Sequence, residues 1–558
     1  MRHLIIFIAL LLSQGIHAKN PKFFKKARPI QLTILATDKD GKIQQGQGYF
    51  LNESGDVLAE YNTLKDAVSV KAVDFTGKEY NLRRVMGASS LYNMVRLSCT
   101  ETGKKQTFAP ILTDALSTGT VVYVMPMCST DKDAECLADT ISKVETFDNE
   151  HNYYTLTRQL DERLSGAPVF TEQGELIGSV QLSADENATH GYIIAATYGQ
   201  KLTITGIDAN NYDLRSLKLP KQLPADESQA TTYLFLVSKQ DTANYRTNVE
   251  DFVALFPKSS TGYIQLAEFE VRQGNFSQAE KVYADALEHC EANQDDIHHS
   301  FAKLLYQSGL HDEPVHEGWT LDKALTEANA AYAKNPLPLY TALQGMILYG
   351  LQKYDEAYAQ FLKMSQTNMR SSEYFLYAAQ CKQMMEAPAE EILAMQDSAM
   401  ACYTKPYPVE AANSLYLRSK TLAALKRYRE AVLDLNEYEH LYAGNLYADF
   451  YYEREQLEMQ CRMYQQALND IDRAVTIQPK EPLYFAEQAV VNYRVGQIDE
   501  AMAAAREAIR LDDGFADAYR ILGICLIDKN KKEEARKNLQ RAIELGDEMA
   551  ASVLEKLK

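Results

Sequence analysis

A regular spacing of alanines in the second half of the chain constrains its fold more than any other feature. Ala431, Ala467, Ala501 and Ala535 stand 36, 34 and 34 residues apart, in KRYREAVLDLNEYE, CRMYQQALNDIDRAVTIQP, VGQIDEAMAAAREAIRLDD and KKEEARKNLQRAIEL. A second small residue recurs seven positions on, at Ala474, Ala508 and Ala542. Self-similarity at such a period implies stacked copies of one small unit instead of a single globular core. The cause is geometric. Two antiparallel helices cross closely only where one of them offers a methyl group, and larger neighbours then fill the space around the crossing. Tyr428, Tyr464 and Ile498 precede the alanine by three and are expected to pack the turn between helices. Gly496 and Asn530, just before the alanine, suit that turn.

This pattern resembles the tetratricopeptide repeat family. In FADAYRILGICLIDKNKKEEARKNLQRAIEL, Tyr519, Leu522, Gly523, Ala535, Leu539 and Ala542 fall at the family's packing positions. Copies begin near 516, 482, 448 and 412, and looser ones near 372, 338, 294 and 260, anchored on Ala394, Ala357, Ala324 and Ala279. The spacing widens to 45 residues at HDEPVHEGWT (311–320), a loop insertion. The expected array has about eight repeats over 258–547 and a capping helix at 548–558, preceded by a linker with a degenerate helix pair at 201–257. The resemblance implies a curved solenoid whose inner face, lined by the first helix of each pair, holds an extended peptide or a partner helix. It places Tyr416, Lys420, Tyr452, Gln456, Arg520 and Ile524 on that face. The Lys/Asn pattern by which some members clamp a C-terminal carboxylate is missing, so the expected partner is a protein or peptide of unspecified sequence.

Residues 28–200 have another texture. Nine short runs alternate or cluster apolar residues: IQLTILAT, QGYFLN, AVSVKAVDF, NMVRLSC, TVVYVMP, NYYTLTRQL, APVFTE, LIGSVQLS and YIIAATY. Turn signals such as DKDGK, ESGD, DFTGKE and EQGE separate them. Many short strands with regular turns predict an all-β region, and this length suits two small barrels. The expected fold class is therefore multidomain, an all-β double barrel followed by an all-α solenoid.

The β region is similar to trypsin-like serine proteases, especially the bacterial HtrA branch. GQGYFLNESGDVLAEYNTL (46–64) matches the segment carrying the histidine, YNLRRVMGASSLYNMVRLSC (80–99) that of the aspartate, and DERLSGAPVFTEQGELIGSVQL (161–182) that of the nucleophile. A serine hydroxyl is a poor nucleophile until a base takes its proton and a carboxylate orients that base. Here Asn62 stands at the histidine position and Asn93 at the aspartate position; of the three, only Ser165 is kept. An amide neither accepts a proton at neutral pH nor fixes an imidazolium by charge. His151 and His190 come too late in chain order and are expected to pack or to lie at the surface. Two residues before the serine the family has a glycine that helps form the oxyanion hole; this chain has Arg163. Loss of the base alone typically costs about six orders of magnitude in turnover. The resemblance thus implies a fold kept and a chemistry lost, with Ser165 retained as part of a tight turn. An active endopeptidase using Ser165 with a non-standard base stands as the alternative. The sequence leaves open whether the β region binds extended peptides or acts as a spacer.

Charge and composition narrow the partners. With 58 basic and 76 acidic residues the net charge is −18, so nucleic acid is not an expected partner. No phosphate-cradling loop, HExxH or dinucleotide motif occurs, and no His/Cys group has zinc-ligand spacing, so neither cofactor nor metal is expected. The N-terminus, MRHLIIFIALLLSQGIHA, reads as a signal peptide over 1–18, its apolar run being too short to span a bilayer. The mature protein is expected to be exported, without a membrane-spanning segment, to the periplasm in preference to the cell exterior. Export makes a disulfide between Cys128 and Cys136, across STDKDAE, a candidate, against the alternative of two free thiols. Cys290, Cys381, Cys402, Cys461 and Cys525 are expected to be small buried hydrophobes in helices.

Overall fold

The structure, a computed structural model, describes residues 20–99, 105–125, 135–148, 150–183, 189–238, 242–311, 316–443 and 445–557. The chain forms two compact units, Met1–Asn293 and Gln294–Lys558.

Twelve strands of the first unit make two closed antiparallel barrels. The first contains β1 (Gln31–Asp38), β2 (Ile43–Phe50), β3 (Val57–Ala59), β4 (Ala67–Asp74), β5 (Glu79–Ser89) and β6 (Met94–Cys99). The second contains β7 (Val121–Val124), β8 (Leu137–Phe147), β9 (His151–Leu156), β10 (Pro168–Phe170), β11 (Leu176–Gln181) and β12 (Tyr192–Ala195). Strand order is β1-β2-β3-β6-β5-β4 in one and β10-β11-β12-β9-β8-β7 in the other, which is the same circuit repeated. Closure leaves no open sheet edge, and inward side chains such as Leu32, Ile34, Val57 and Leu97, or Val122, Tyr154, Val169 and Ile193, fill each interior. Between the barrels Tyr49 and Ser179 hydroxyls bond at 2.8 Å.

Three strands escaped the sequence reading. β3 is only three residues long, β5 carries Arg83 and Arg84 inside its run, and β8 exposes much of its length. After the barrels the chain stays on the first one: Val85 donates its N–H to the Pro220 carbonyl and accepts from Gln222 N–H, both at 2.8 Å. Helices Glu227–Val237 and Thr242–Leu255 follow, tied to β5 by an Arg84–Asp251 ion pair at 2.8 Å. The helix pair Ser260–Arg272 and Phe276–His289 completes the unit.

The second unit is a succession of helix pairs. They are Gln294–Gly309 with Leu321–Lys334, Pro338–Gly350 with Tyr354–Met364, Ser372–Met384 with Ala389–Met400, and Ala412–Ala424 with Tyr428–Leu441. Ala448–Gln460 with Tyr464–Ile477, Pro482–Arg494 with Ile498–Leu511, and Ala516–Asp528 with Lys532–Glu544 continue it, and Glu548–Lys556 ends it. The crossing alanines Ala324, Ala357, Ala431, Ala467, Ala501 and Ala535 are all fully buried. Ala394 is not: it is exposed, and its helix buries Leu393, Gln396, Ala399 and Met400 instead. Pro388 caps that helix and sets its start, which turns the expected anchor to solvent. Each fully described turn inside a pair of the second unit has one residue in the left-handed region, among them Lys426, Arg462, Gly496 and Asn530, with φ between 58° and 83°. Only two of those four are the Gly or Asn that such a conformation favours, so two of the turns leave no mark in the sequence.

One repeat replaces its apolar interior with charge. In the last copy Leu522, Gly523 and Leu526 pack at the crossing, where a Cβ on Gly523 would come within 2.8 Å of Leu539. The equivalent residues in Ala448–Gln460 are Arg454, Glu455 and Glu458, each at most 5% exposed. Arg454 is held by a bidentate pair to Asp470, at 2.6 and 2.8 Å, and Arg418 repeats the arrangement on Asp434 one copy earlier, at 2.8 and 2.6 Å. Glu455 Oε1 and Glu458 Oε2 have no hydrogen-bond partner. Burial, aided by the charge of Glu487, pushes the Glu455 carboxyl up to about 8; burial, aided by Asp470, does the same for Glu458.

The expected signal peptide and Cys128 lie outside the described residues. Cys136, Cys290, Cys381 and Cys525 are buried, whereas Cys402 and Cys461 are only half-buried because they sit at or next to helix ends. Among the described residues no helix is long and apolar enough to cross a membrane.

The two buried carboxyls set a pH dependence. The native state keeps protons that the unfolded chain releases near 4.5, so stability is full below that pH and falls as pH rises toward 8. Thermal melts followed by circular dichroism should show Glu455→Gln/Glu458→Gln gaining stability over the parent at pH 8. The gain should be at least ~1 kcal/mol, about one pK unit's worth, and should vanish near pH 4.

Candidate functional site

The serine turn lies where the barrels meet. Glu162–Leu164 is a single 3-10 turn, capped by Asp161 and followed by Ser165, and β10 begins at Pro168. Gly166 has φ +71°, and a Cβ on it would come within 2.5 Å of the Glu60 side chain. A backbone without a Cβ is therefore required at this approach.

Glu60 follows β3 of the first barrel and is 9% exposed. Its Oε1 accepts the Ser165 hydroxyl and, at 3.2 Å, the Asn93 amide; its Oε2 accepts the Gln47 N–H at 3.4 Å. Gln47, on β2, donates its side-chain amide to the carbonyls of Arg163 at 2.6 Å and Ser165 at 3.1 Å. Two side chains of the first barrel thus grip the serine turn of the second.

Asn93 joins this group while Asn62 does not. Asn93 occupies the left-handed region at φ 48°, which asparagine tolerates, and its Oδ1 accepts the Asn62 backbone N–H at 2.9 Å. Asn62 itself is exposed. Neither histidine of the region is a base here. His151 is buried, with Nδ1 3.1 Å from the Thr197 hydroxyl and its ring packed on Phe147 and Tyr198. His190 Nδ1 lies 3.0 Å from the Leu156 carbonyl.

The backbone donors that would receive an oxyanion are turned inward. Arg163 N–H donates to Asp161 Oδ1 at 2.9 Å, and Ser165 N–H donates to the Glu162 carbonyl at 3.0 Å. The Arg163 guanidinium also donates to Asp161, at 2.8 and 2.9 Å, and these bonds hold the Asp161 carboxyl down at about 2. The turn is internally satisfied and offers no donor pair aimed at a developing charge. The chemistry left is a serine hydroxyl hydrogen-bonded to a glutamate side chain.

Sequence reasoning missed Glu60 and Gln47. Both are polar residues inside apolar strand segments, in VLAEY and GQGYF, and that mismatch was the available signal. Among the described residues no cluster of His, Cys, Asp and Glu is arranged to hold a metal.

On the array, the predicted inner-face residues meet their neighbours across successive first helices. Lys420 pairs with Glu453 at 2.6 Å and lies 4.9 Å above the Tyr416 ring, whose hydroxyl also donates to Glu453 at 3.2 Å. Tyr452 packs on Tyr484 with ring centres 5.6 Å apart. Gln456 donates to Glu455 at 2.7 Å, and Arg520 to Asp547 at 2.5 Å and to Asp517. Ile524 is half-buried against the last repeats. All six are at least partly open to solvent.

Comparison with known proteins agrees with the helical half. The small glutamine-rich tetratricopeptide repeat-containing protein 2 of Mycosarcoma maydis is 30% identical over 87 residues, 16% of this chain and 25% of that protein. DnaJ homolog subfamily C member 7 of Homo sapiens is 29% identical over 92 residues, 16% of this chain and 19% of that protein. The chain therefore spans a quarter or less of the length of these relatives. Among solved structures, YrrB, a TPR protein with an unusual peptide-binding site, is 23% identical with a TM-score of 0.30, covering 35% of this chain and 97% of that one. MamA is 20% identical with a TM-score of 0.27, covering 31% and 96%. No protein-family model matches the chain. The helical array is similar to TPR repeat proteins.

The serine turn yields a direct test of its packing. Gly166→Ala would strain a positive φ and drive a methyl into the Glu60 stem, so it should destabilise the first unit by about 2 kcal/mol or more. A lowered first transition in calorimetry checks this, and Ala167→Gly, two bonds along the same turn, should cost less.

Proposed function

We propose that this chain is an exported protein-interaction scaffold, in which a trypsin-like barrel pair that has lost catalysis is joined to a peptide-binding helical array. One observation carries the loss of catalysis. Ser165 donates its hydroxyl to Glu60 while the N–H groups of Arg163 and Ser165 are spent within their own turn. Paired six-stranded barrels of one circuit, with a serine turn at their junction, support the trypsin-like reading. The relatives named above support an interaction role for the array. The N-terminal MRHLIIFIALLLSQGIHA supports export, with the periplasm as destination.

The inner face of the array suits a basic partner segment. Asp449, Glu453, Glu487 and Asp517 outnumber Lys420 and Arg520 there, and the whole chain carries −18. Tyr416 and Tyr452, both half-buried, supply apolar contact beside those charges.

A second reading rests on the Glu60–Ser165 hydrogen bond, which is also the geometry of a serine activated by a carboxylate. A fluorophosphonate probe separates the two. Full-length protein should remain unlabelled under conditions that label trypsin stoichiometrically. Labelling that disappears in both Ser165→Ala and Glu60→Gln would establish the second reading instead. For the array, the full chain used as bait should retain a specific partner, and Tyr416→Ala/Tyr452→Ala, at two half-buried positions, should weaken it by about tenfold or more. Retention unchanged by that double variant would remove the inner face from the proposal.

A further inference from the structure

In the first unit, the segment after β12 and the helices Glu227–Val237 and Thr242–Leu255 enclose a cleft of roughly 570 Å³ against the first barrel. This is within the range of small-molecule sites, about 300–1,000 Å³. We propose that the cleft binds a small amphipathic anion, a carboxylate joined through an amide to an apolar chain, of the N-acyl amino acid class.

Charge is the first argument. In a chain of net −18, four cations line this cleft, Lys39, Arg215, Lys218 and Lys221, with Asp208 the one acidic lining residue. Asp208 is already engaged as a helix cap, its Oδ2 accepting the N–H and hydroxyl of Thr205 at 2.7 Å each. Lys39, Arg215 and Lys218 are exposed at the rim, whereas Lys221 is 9% exposed. Its backbone is pinned to β5 through the bonds of Val85 to Pro220 and Gln222, and its ammonium donates to the Leu217 carbonyl at 2.5 Å. A cation placed this deep acts through a lower dielectric than one in water, so its attraction for an anion is stronger.

The cleft's other two features set the rest of the ligand. Val68, 49% exposed, lines it beside the buried Leu214, Leu217, Tyr233 and Val237, and an alkyl chain laid on that wall would take the Val68 side chain out of water. Asn248 also lines it, is 3% exposed, and has an amide oxygen with no hydrogen-bond partner. A buried acceptor left unsatisfied carries a desolvation cost, and a ligand N–H removes it. A cleft of similar size in the second unit lacks this character: its cations Lys405, Arg418 and Arg427 are paired with Glu437, Asp434 and Glu430.

The test is calorimetric titration of the full chain with a matched series. N-octanoylglycine should bind with one site per chain. N-octanoylglycinamide, without the charge, should bind about tenfold more weakly or worse, as should N-acetylglycine, without the alkyl chain. The ester analogue O-octanoylglycolate, without the N–H, should be weaker in the parent but equal to the amide ligand in Asn248→Leu. Arg215→Glu/Lys218→Glu, both at the exposed rim, should weaken N-octanoylglycine about tenfold with an unchanged melt. No binding of N-octanoylglycine at millimolar concentration overturns the proposal, and so does equal binding of its amide. Unchanged affinity in Arg215→Glu/Lys218→Glu overturns it as well. The ligand series on the unaltered chain decides the matter even if a variant fails to fold.

Discussion

In the first unit, a carboxylate from one barrel takes the hydroxyl of the other. Glu60 accepts from Ser165, and Gln47, next to the end of the β2–β3 pairing at Gly48, holds the carbonyls of Arg163 and Ser165 in the same turn. Both side chains are buried, so these bonds form where water competes poorly and where their loss would leave polar groups unsatisfied. The contact therefore does two things at once. It fixes how the serine turn sits against the first barrel, and it occupies the atom that would have to attack a substrate.

The array solves a different problem by repetition. Each helix pair buries one stripe against the next, and the closest crossings recur at fully buried alanines. Where a copy departs from apolar packing, the departure is compensated in kind. Arg418 and Arg454 occupy equivalent places and each meets an aspartate sixteen residues on, Asp434 and Asp470, with two parallel hydrogen bonds. Such a fork is the geometry in which a guanidinium tolerates burial. Glu455 and Glu458 have no comparable partner on one oxygen each, and they settle the matter by holding protons. A leucine in one copy is thus an arginine or a glutamate in another, at Leu522 and Arg454 or at Leu526 and Glu458, and the period survives both.

That period explains why the array was legible and the barrels less so. Alanine spacing reports a crossing that must recur in every copy, and six of the seven second-unit anchors hold, counting Ala324 through Ala535. The exception, Ala394, failed because a proline reset the helix start, an effect local to one turn. Strands give no such redundancy. β3 has three residues and β8 alternates only partly, so neither carries a pattern that stands out against its flanking loops. At the serine turn, Asn62 and Asn93 stood out because the resemblance supplied expected residues to compare them with. Glu60 and Gln47 did not, because their roles depend on residues more than a hundred positions away.

The satisfied turn also bears on how far this unit stands from catalysis. A working hydrolase keeps backbone donors pointed at empty space for a charge that exists only in the transition state, which is a stored cost. Here the N–H groups of Arg163 and Ser165 are bonded to Asp161 and Glu162, so no such cost is stored. Placing a histidine at Asn62 would not reverse this, since that side chain points to solvent and the serine hydroxyl is already held by Glu60. Base, orienting acid, hydroxyl and oxyanion donors would all have to change together, because residues acting as one catalytic unit give little when restored singly. A turn bonded to itself and to a neighbouring barrel resists such change, and that resistance is what suits it to a rigid structural part.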